Sequence, residues 1–453
     1  MNAPLDLASA AALVKRQQLS SSQLVRDCLD RIAAGNAALN AFVAVFEREA
    51  VEEAAVADRE IREGRYRGAL HGIPVSVKDL VDVAGSPTTS GSAVPARLPD
   101  RDAPVVAQLR RAGAILIGKT NLHEFAFGTT SDETASGPVH HPLDPSRSPG
   151  GSSGGAAVAI VEGMCLGSIG TDTGGSIRIP SAACGITGLK PTVGELPCAG
   201  IVPLSTTLDH VGPMTRTVTD AALMFHAMAG AKPRPPRRTA ALQLAVPRPY
   251  FFDILDDDVR ALFERATART IEGGSRVTDV AIPHVERTPD AYLLISLPEA
   301  AWYHAPLLAR YADRYSPGVR LRLEMGGYVL AEDYVRAMHA RDVLREEVDR
   351  ALEDADALLL PTLPIAAPPL GASTVQVGGT TQPVRAMMLR LTQLFNITGH
   401  PAIAIPAGTG RDGFPRSFQL VGKRGATARL LDAALTLERQ LAGGAGSVGG
   451  GTG

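Results

Sequence analysis

The chain has 453 residues, 45% of them hydrophobic and 20% charged, with a formal net charge of −2. That composition fits a globular chain able to bury a large core. With no long run of lysine and arginine, it excludes the electrostatic footprint of a nucleic-acid or anionic-membrane binder. Cys28, Cys165, Cys184 and Cys198 show no C-x-x-C spacing and are too few to staple a chain of this length, so free thiols in a reducing cytoplasm are expected. No uncharged apolar run reaches the roughly 18 residues of a membrane helix, and the first residues lack the cationic start of a signal peptide. A cytoplasmic protein with neither nucleic acid nor membrane as partner is the expectation.

In chain order, Ser20-Ser-Ser22 reads as the cap of an amphipathic helix through Ile32, and residues 47–63 read as another. From Gly72 to about Gly212, short apolar runs, glycine-rich turns and small-residue helices give an α/β texture. Pro104 to Ala112 is a helix stopped by Gly113. The following Gly113-Ala-Ile-Leu-Ile-Gly-Lys-Thr120 matches the phosphate-loop pattern G-x-x-x-x-G-K-[ST]. A phosphate loop needs a strand before it and flexible backbone between its glycines, whereas here a helix precedes and the middle reads as a buried strand. Nucleotide binding is therefore rejected, and Lys119 is expected in a turn.

Residues 231–240, rich in proline and arginine, read as a surface connection and a candidate boundary between lobes. Helices around 256–272 and 332–354 and strands at 357–360 and 402–405 continue the α/β pattern. A single unit over residues 1–441 is expected, with a helical region 1–65, a core 66–230 and an α/β part 241–441, followed by a disordered glycine-rich tail at 442–453.

Three stretches carry chemistry. Lys78, in the apolar run Gly72–Leu80, is one of only six lysines against 39 arginines. It reads either as a buried amine that sheds its proton and serves as a base, which guanidinium cannot do, or as the partner of Asp79 or Asp82. Next, Ser148–Gly155 holds the G-x-S-x-G of an α/β-hydrolase elbow centred on Ser152. That elbow needs a strand directly before it, and the prolines within 140–149 argue against one. Finally, in Gly170–Thr192 the adjacent Gly174 and Gly175 let consecutive amides point one way, as an oxyanion requires, with Ser176 directly after. The same residues also read as a tight turn in which Ser176 caps the next element.

Taken together, Gly150-Gly-Ser-Ser-Gly-Gly155, Asp172-Thr-Gly-Gly-Ser-Ile-Arg178 and Cys184-Gly-x-x-Gly-Leu-Lys-Pro-Thr192 resemble the amidase signature enzymes. These include amidases, carbamate hydrolases, fatty acid amide hydrolases and the glutaminase subunit of tRNA-dependent amidotransferases. The likeness extends through Gly118-Lys-Thr-Asn-Leu-His-Glu-Phe125 and Asn396-Ile-Thr-Gly-His-Pro401 to nearly the whole chain. It implies an α/β fold with a large twisted mixed β-sheet covered by helices on both faces. By the same resemblance Ser176 is the nucleophile, Ser152 (after a cis peptide at Gly151) relays protons, and Lys78 is the base. The amides of Thr173, Gly174, Gly175 and Ser176 would form the oxyanion hole. Ser153 would support the relay, while Asp172 and Arg178 would fix the loop. No cofactor and no metal are implied, and the ten histidines show no ligand spacing such as H-E-x-x-H.

Relatives that take glutamine carry an acidic residue seven positions before the Asn of Asn396-Ile-Thr-Gly, where this chain has Leu389. A leucine cannot neutralise a substrate ammonium, so a substrate less polar than glutamine is expected. Ile179, Phe127, Gly128 and Leu389 are the candidate pocket residues, with walls from loops around 127–140, 290–330 and 375–400. Arg416 and Ser417 depart from the family's GLPVGLQ stretch. The resulting expectation is a monomeric or homodimeric hydrolase of apolar small-molecule amides, with aryl amides, esters and carbamates (urethanes) as substrates. The alternatives are a glutaminase subunit of an amidotransferase and an α/β-hydrolase-type esterase.

Overall fold

Every residue of Pro74-Val-Ser-Val-Lys78 is buried, as are all those of Ile115–Thr120, Gly167–Asp172 and Ala357–Pro361. Successive side chains of a strand point to opposite faces, so strands buried at every position must be covered on both sides. The computed structural model, which describes residues 4–442, meets this requirement with one large mixed sheet and helices on both faces.

The strands in chain order are β1 (Phe42–Val45), β2 (Pro74–Lys78), β3 (Ile115–Thr120), β4 (Gly167–Asp172), β5 (Thr187–Lys190) and β6 (His210–Thr215). They continue with β7 (Gln243–Pro247), β8 (Arg276–Val280), β9 (Ala357–Pro361), β10 (Thr374–Val377), β11 (Thr380–Pro383), β12 (Ala402–Thr409) and β13 (Pro415–Val421). Eleven of them form the sheet in the order β1-β3-β2-β4-β6-β5-β12-β13-β9-β7-β8, and β10 and β11 make a separate hairpin. The centre is mixed: β2 runs parallel to β3 and β4, and β4 antiparallel to β6. The 231–240 connection is mostly exposed, yet β7 beyond it pairs with β9, and β9 with β13, so the sheet runs on undivided.

Local signals explain several elements. Ser20 caps the helix Ser21–Leu39 in a reciprocal capping box with Gln23. The helix Gly154–Val161 is built from small residues because it lies against β2, β3 and β4. A Cβ on Gly155 would come within 2.5 Å of the carbonyl oxygens of Ala41 and Asn121. No helix among the described residues is long and apolar enough to cross a membrane. The glycine-rich tail expected at 442–453 lies, apart from Ala442, outside the described residues.

Two local expectations are corrected. Lys119 is not in a turn: it belongs to β3 and is fully buried. Its ammonium lies 2.6 Å from the Asp79 carboxylate and donates to the Pro87 carbonyl. Of the expected loops, 290–330 is mainly the helices Thr288–Tyr311 and Pro317–Gly326, and 375–400 is mainly the β10–β11 hairpin and the helices Val384–Arg390 and Leu394–Ile397.

Breaking a buried ion pair strands a charge in a poor solvent. Lys119→Met is therefore expected to lower unfolding free energy by about 3–5 kcal/mol, measured by denaturant titration. The double variant Asp79→Leu/Lys119→Met should recover most of that loss. A double variant as unstable as the single one would show that the stranded carboxylate is not the cause.

Candidate active site

Because β2 and β4 are parallel neighbours, Lys78 at the end of one lies beside Thr171 near the end of the other. Lys78 is completely buried. Its Nζ lies 2.7 Å from Ser152 Oγ and donates to Thr171 Oγ1 at 2.9 Å. Neither neighbouring carboxylate serves it, for Asp79 is taken by Lys119 and Asp82 by Arg97 at 2.8 Å. Burial lowers the Lys78 ammonium from its ordinary 10.5 to about 7, although the charges of Asp172 and Asp209 pull the other way.

Ser152 follows a cis peptide bond from Gly151. Its carbonyl accepts from the His123 amide at 3.1 Å and from Ser131 Oγ at 3.3 Å. The segment before it, Gly137–Gly151, contains no strand element, so the elbow geometry of an α/β-hydrolase is not present. Ser153 ties the two serine loops together: its amide donates to the Ser176 carbonyl at 3.2 Å and its hydroxyl to the Thr171 carbonyl at 3.4 Å.

Ser176 ends a short path from the tip of β4 and stands two residues before the helix Arg178–Cys184. The amides of Ile177 and Arg178 donate to the Asp172 carboxylate, which thereby caps that helix. Among the described residues, the amides of Thr173, Gly174, Gly175 and Ser176 have no protein acceptor. Four consecutive uncommitted donors suit a developing oxyanion. Gly175 sits at φ +144°, and a Cβ there would strike Thr392 Oγ1 at 2.4 Å, so position 175 tolerates no side chain.

A buried cluster holds this loop. Arg178 pairs with both carboxylate oxygens of Asp172 at 3.0 Å and donates to the Thr392 carbonyl, Gln419 and Asn396. Asn396 donates back to the Asp172 carbonyl and carboxylate, and Thr392 Oγ1 to the Gly174 carbonyl at 2.6 Å. Burial alone would raise the Asp172 carboxyl, but the Arg178 charge and hydrogen bonds outweigh it and hold the group well below the usual carboxylate range. Thr171, Ser131 and Gln419 carried no signal in the sequence. Asn396 stood out there only as the start of a motif.

The candidate pocket residues separate in space. Leu389 lines a cavity of about 390 Å³ together with Tyr292, and both crowd the Cα of Gly174. Gly128, with the His123 ring packed against it, lines a more polar cavity of about 480 Å³. Phe127 is buried beneath the guanidiniums of Arg322 and Arg385, at 5.3 and 5.7 Å. Ile179 is fully buried against Gly175. Arg416 pairs with Asp412 at 3.0 Å and, like Ser417, lines neither cavity.

A mixed sheet with a desolvated lysine, two serines and a row of open amides at the ends of its central strands defines an α/β enzyme of the hydrolase class. The Amidase family profile matches residues 23–431. An amidase of Pseudomonas putida is 37% identical, with 96% of each chain covered. A component of the glutamyl-tRNA(Gln) amidotransferase of Anaeromyxobacter dehalogenans (strain 2CP-C) is 36% identical, also over 96% of each. Among solved structures, the crystal structure of an amidase superposes with a TM-score of 0.91 at 37% identity, covering 96% of this chain and 100% of that one. The chain belongs to the amidase signature family and is a hydrolase acting on amides.

The lowered Lys78 value carries a sign for stability. Between about pH 7 and 10.5 the unfolded chain holds a proton on this lysine that the folded chain does not, so this contribution rises with pH. The unfolding free energy of the wild type minus that of Lys78→Met is expected to grow by about 1.4 kcal/mol per unit from pH 7.5 to 9.5 and to be flat below about pH 6.5. A difference independent of pH across that window would mean that the lysine stays charged.

Proposed function

We propose that the chain cleaves the C–N bond of apolar amides, aryl amides among them, and also hydrolyses aryl esters and carbamates, through an acyl-enzyme formed on Ser176. The observation that carries this reading is the contact between Lys78 Nζ and Ser152 Oγ in a site where no carboxylate keeps the lysine charged. A neutral amine accepts the Ser152 proton while Ser152 accepts that of Ser176, and Ser176 Oγ bonds to the substrate carbonyl carbon. The amides of residues 173–176 receive the negative oxygen. As the tetrahedral species collapses, the C–N bond breaks and the proton returns from Lys78 through Ser152 to the leaving nitrogen. Water then enters by the same relay and releases the acid.

The apolar preference rests on Leu389 beside Gly174, with Tyr292 completing that wall. The likeness to a component of a tRNA-dependent amidotransferase favours a second reading, glutaminase action within a complex. Leu389, unable to balance a glutamine ammonium, weighs against it.

The test is nitroaniline release from an acyl p-nitroanilide and from a matched aryl carbamate, with EDTA present. Wild-type turnover should survive the chelator and fall by about a thousandfold or more in Ser176→Ala. Its kcat/KM should climb with pH through about 7 and level above, as Lys78 loses its proton. Full activity in Ser176→Ala removes the nucleophile assignment. Hydrolysis of glutamine in preference to both probes would select the second reading.

A further inference from the structure

The apolar cavity beside Gly174 is lined by two arginines and no acid. Arg390 is engaged: it donates to the Tyr250 carbonyl at 2.7 Å and stacks 4.0 Å above the Tyr250 ring. Arg385 is not. Among the described residues no carboxylate lies within ion-pair distance of it, and its hydrogen bond to the Phe127 carbonyl is stretched to 3.5 Å. Of the two acids lining the neighbouring cavity, Glu133 pairs with Arg322 at 3.2 Å and Asp132 accepts from the Thr130 hydroxyl and the Gly371 amide. Partly buried, Arg385 borders both cavities, and burial lowers its guanidinium to about 10.

A partly buried guanidinium with no ion-pair partner, facing an apolar cavity, is a ready receptor for an anion. Its planar fork matches a carboxylate through two parallel hydrogen bonds. The position fixes which part of a substrate meets it. Tyr292 and Leu389 line this cavity and touch the loop that would hold the scissile carbonyl, whereas the leaving nitrogen must face Ser152 to collect its proton. Arg385 therefore lies on the acyl side, one helical turn before Leu389 on the helix Val384–Arg390.

We propose that Arg385 binds a carboxylate at the far end of the acyl group, so that the preferred substrates are amides of an apolar acyl chain ending in an anion. This rests on the reading of Ser176 as nucleophile given above. It combines the apolar walls with the single uncommitted cation in the cavity, and it sets this site apart from one that takes a zwitterion, which would need an acid where Leu389 stands.

The probes are the mono-p-nitroanilide of adipic acid and its methyl ester, which differ only in the distal charge. Wild-type kcat/KM for the free acid should exceed that for the ester by at least about tenfold, mainly through KM. Arg385→Met should erase that ratio, and Arg385→Lys should keep part of it. Equal turnover of the two probes by the wild type, or a ratio unchanged in Arg385→Met, overturns the proposal. Calorimetric binding of both probes to Ser176→Ala, with and without Arg385→Met, separates the two readings. If neither probe is hydrolysed, the nucleophile reading fails, but tighter binding of the acid that is lost with Arg385 still sustains the carboxylate site. Binding of the acid no tighter than the ester refutes it.

Discussion

The buried pairing of Asp172 with Arg178 decides the character of the whole site. A carboxylate at the end of β4, one residue from Thr171, would ordinarily stabilise the Lys78 ammonium and leave it useless as a base. Arg178 claims both oxygens of that carboxylate at 3.0 Å, and Asn396 claims one of them again. The negative charge is thus spent within its own cluster. What reaches Lys78 is too weak to offset its desolvation. The same pairing spans the loop 173–176 from one end to the other, so a single interaction fixes both the conformation of the open amides and the protonation of the lysine.

Three buried lysines show how partners decide the outcome. Lys119 is withdrawn from water as fully as Lys78, yet it has Asp79 at 2.6 Å and two oxygen acceptors besides, so it serves as a structural cation joining β3 to the segment after β2. Lys190 donates to the carbonyls of Pro191 and His400, while burial and then the Arg178 charge push its ammonium well below the ordinary value. Of the three, Lys78 alone is served by hydroxyls with neither a carboxylate nor a carbonyl beside them. Serine and threonine hydroxyls can donate as well as accept, and that is what a group exchanging protons requires.

The candidate site was legible in the sequence wherever its parts are contiguous. Ser152 and Ser176 lie in glycine-rich runs because backbone must approach backbone there, and that need for small residues marks the chain visibly. Helix caps such as Ser20 were legible for the same local reason. Contacts between distant segments were not. Lys119 looked like a turn residue because nothing in Gly118-Lys-Thr-Asn121 announces an ion pair with Asp79, far earlier in the chain. The stretch 290–330 was expected as loop, yet it is largely helix, and Pro298 and Pro306 both lie inside the helix Thr288–Tyr311, where tertiary packing overrides the usual cost of proline. Tyr292 and Arg385 carry no motif, and only the fold brings their helices to the mouth of the site.

Chemistry and recognition meet on one short segment. In residues 384–396, Thr392 and Asn396 grip the loop through the Gly174 carbonyl and Asp172, so these positions are bound to the mechanism. One turn earlier, a Leu389 methyl group lies where a side chain on Gly174 would meet it, and a further turn back Arg385 lines both cavities. Moving away from the loop, each turn is less tied to its hydrogen bonds and closer to the open cavities. Substitutions at 385 and 389 can therefore change what is bound, in charge and in size, without disturbing the hydrogen bonds that hold the amides in place. A loop held by fixed hydrogen bonds and a more variable cavity wall follow from the same run of chain, because its two ends answer to different physical demands.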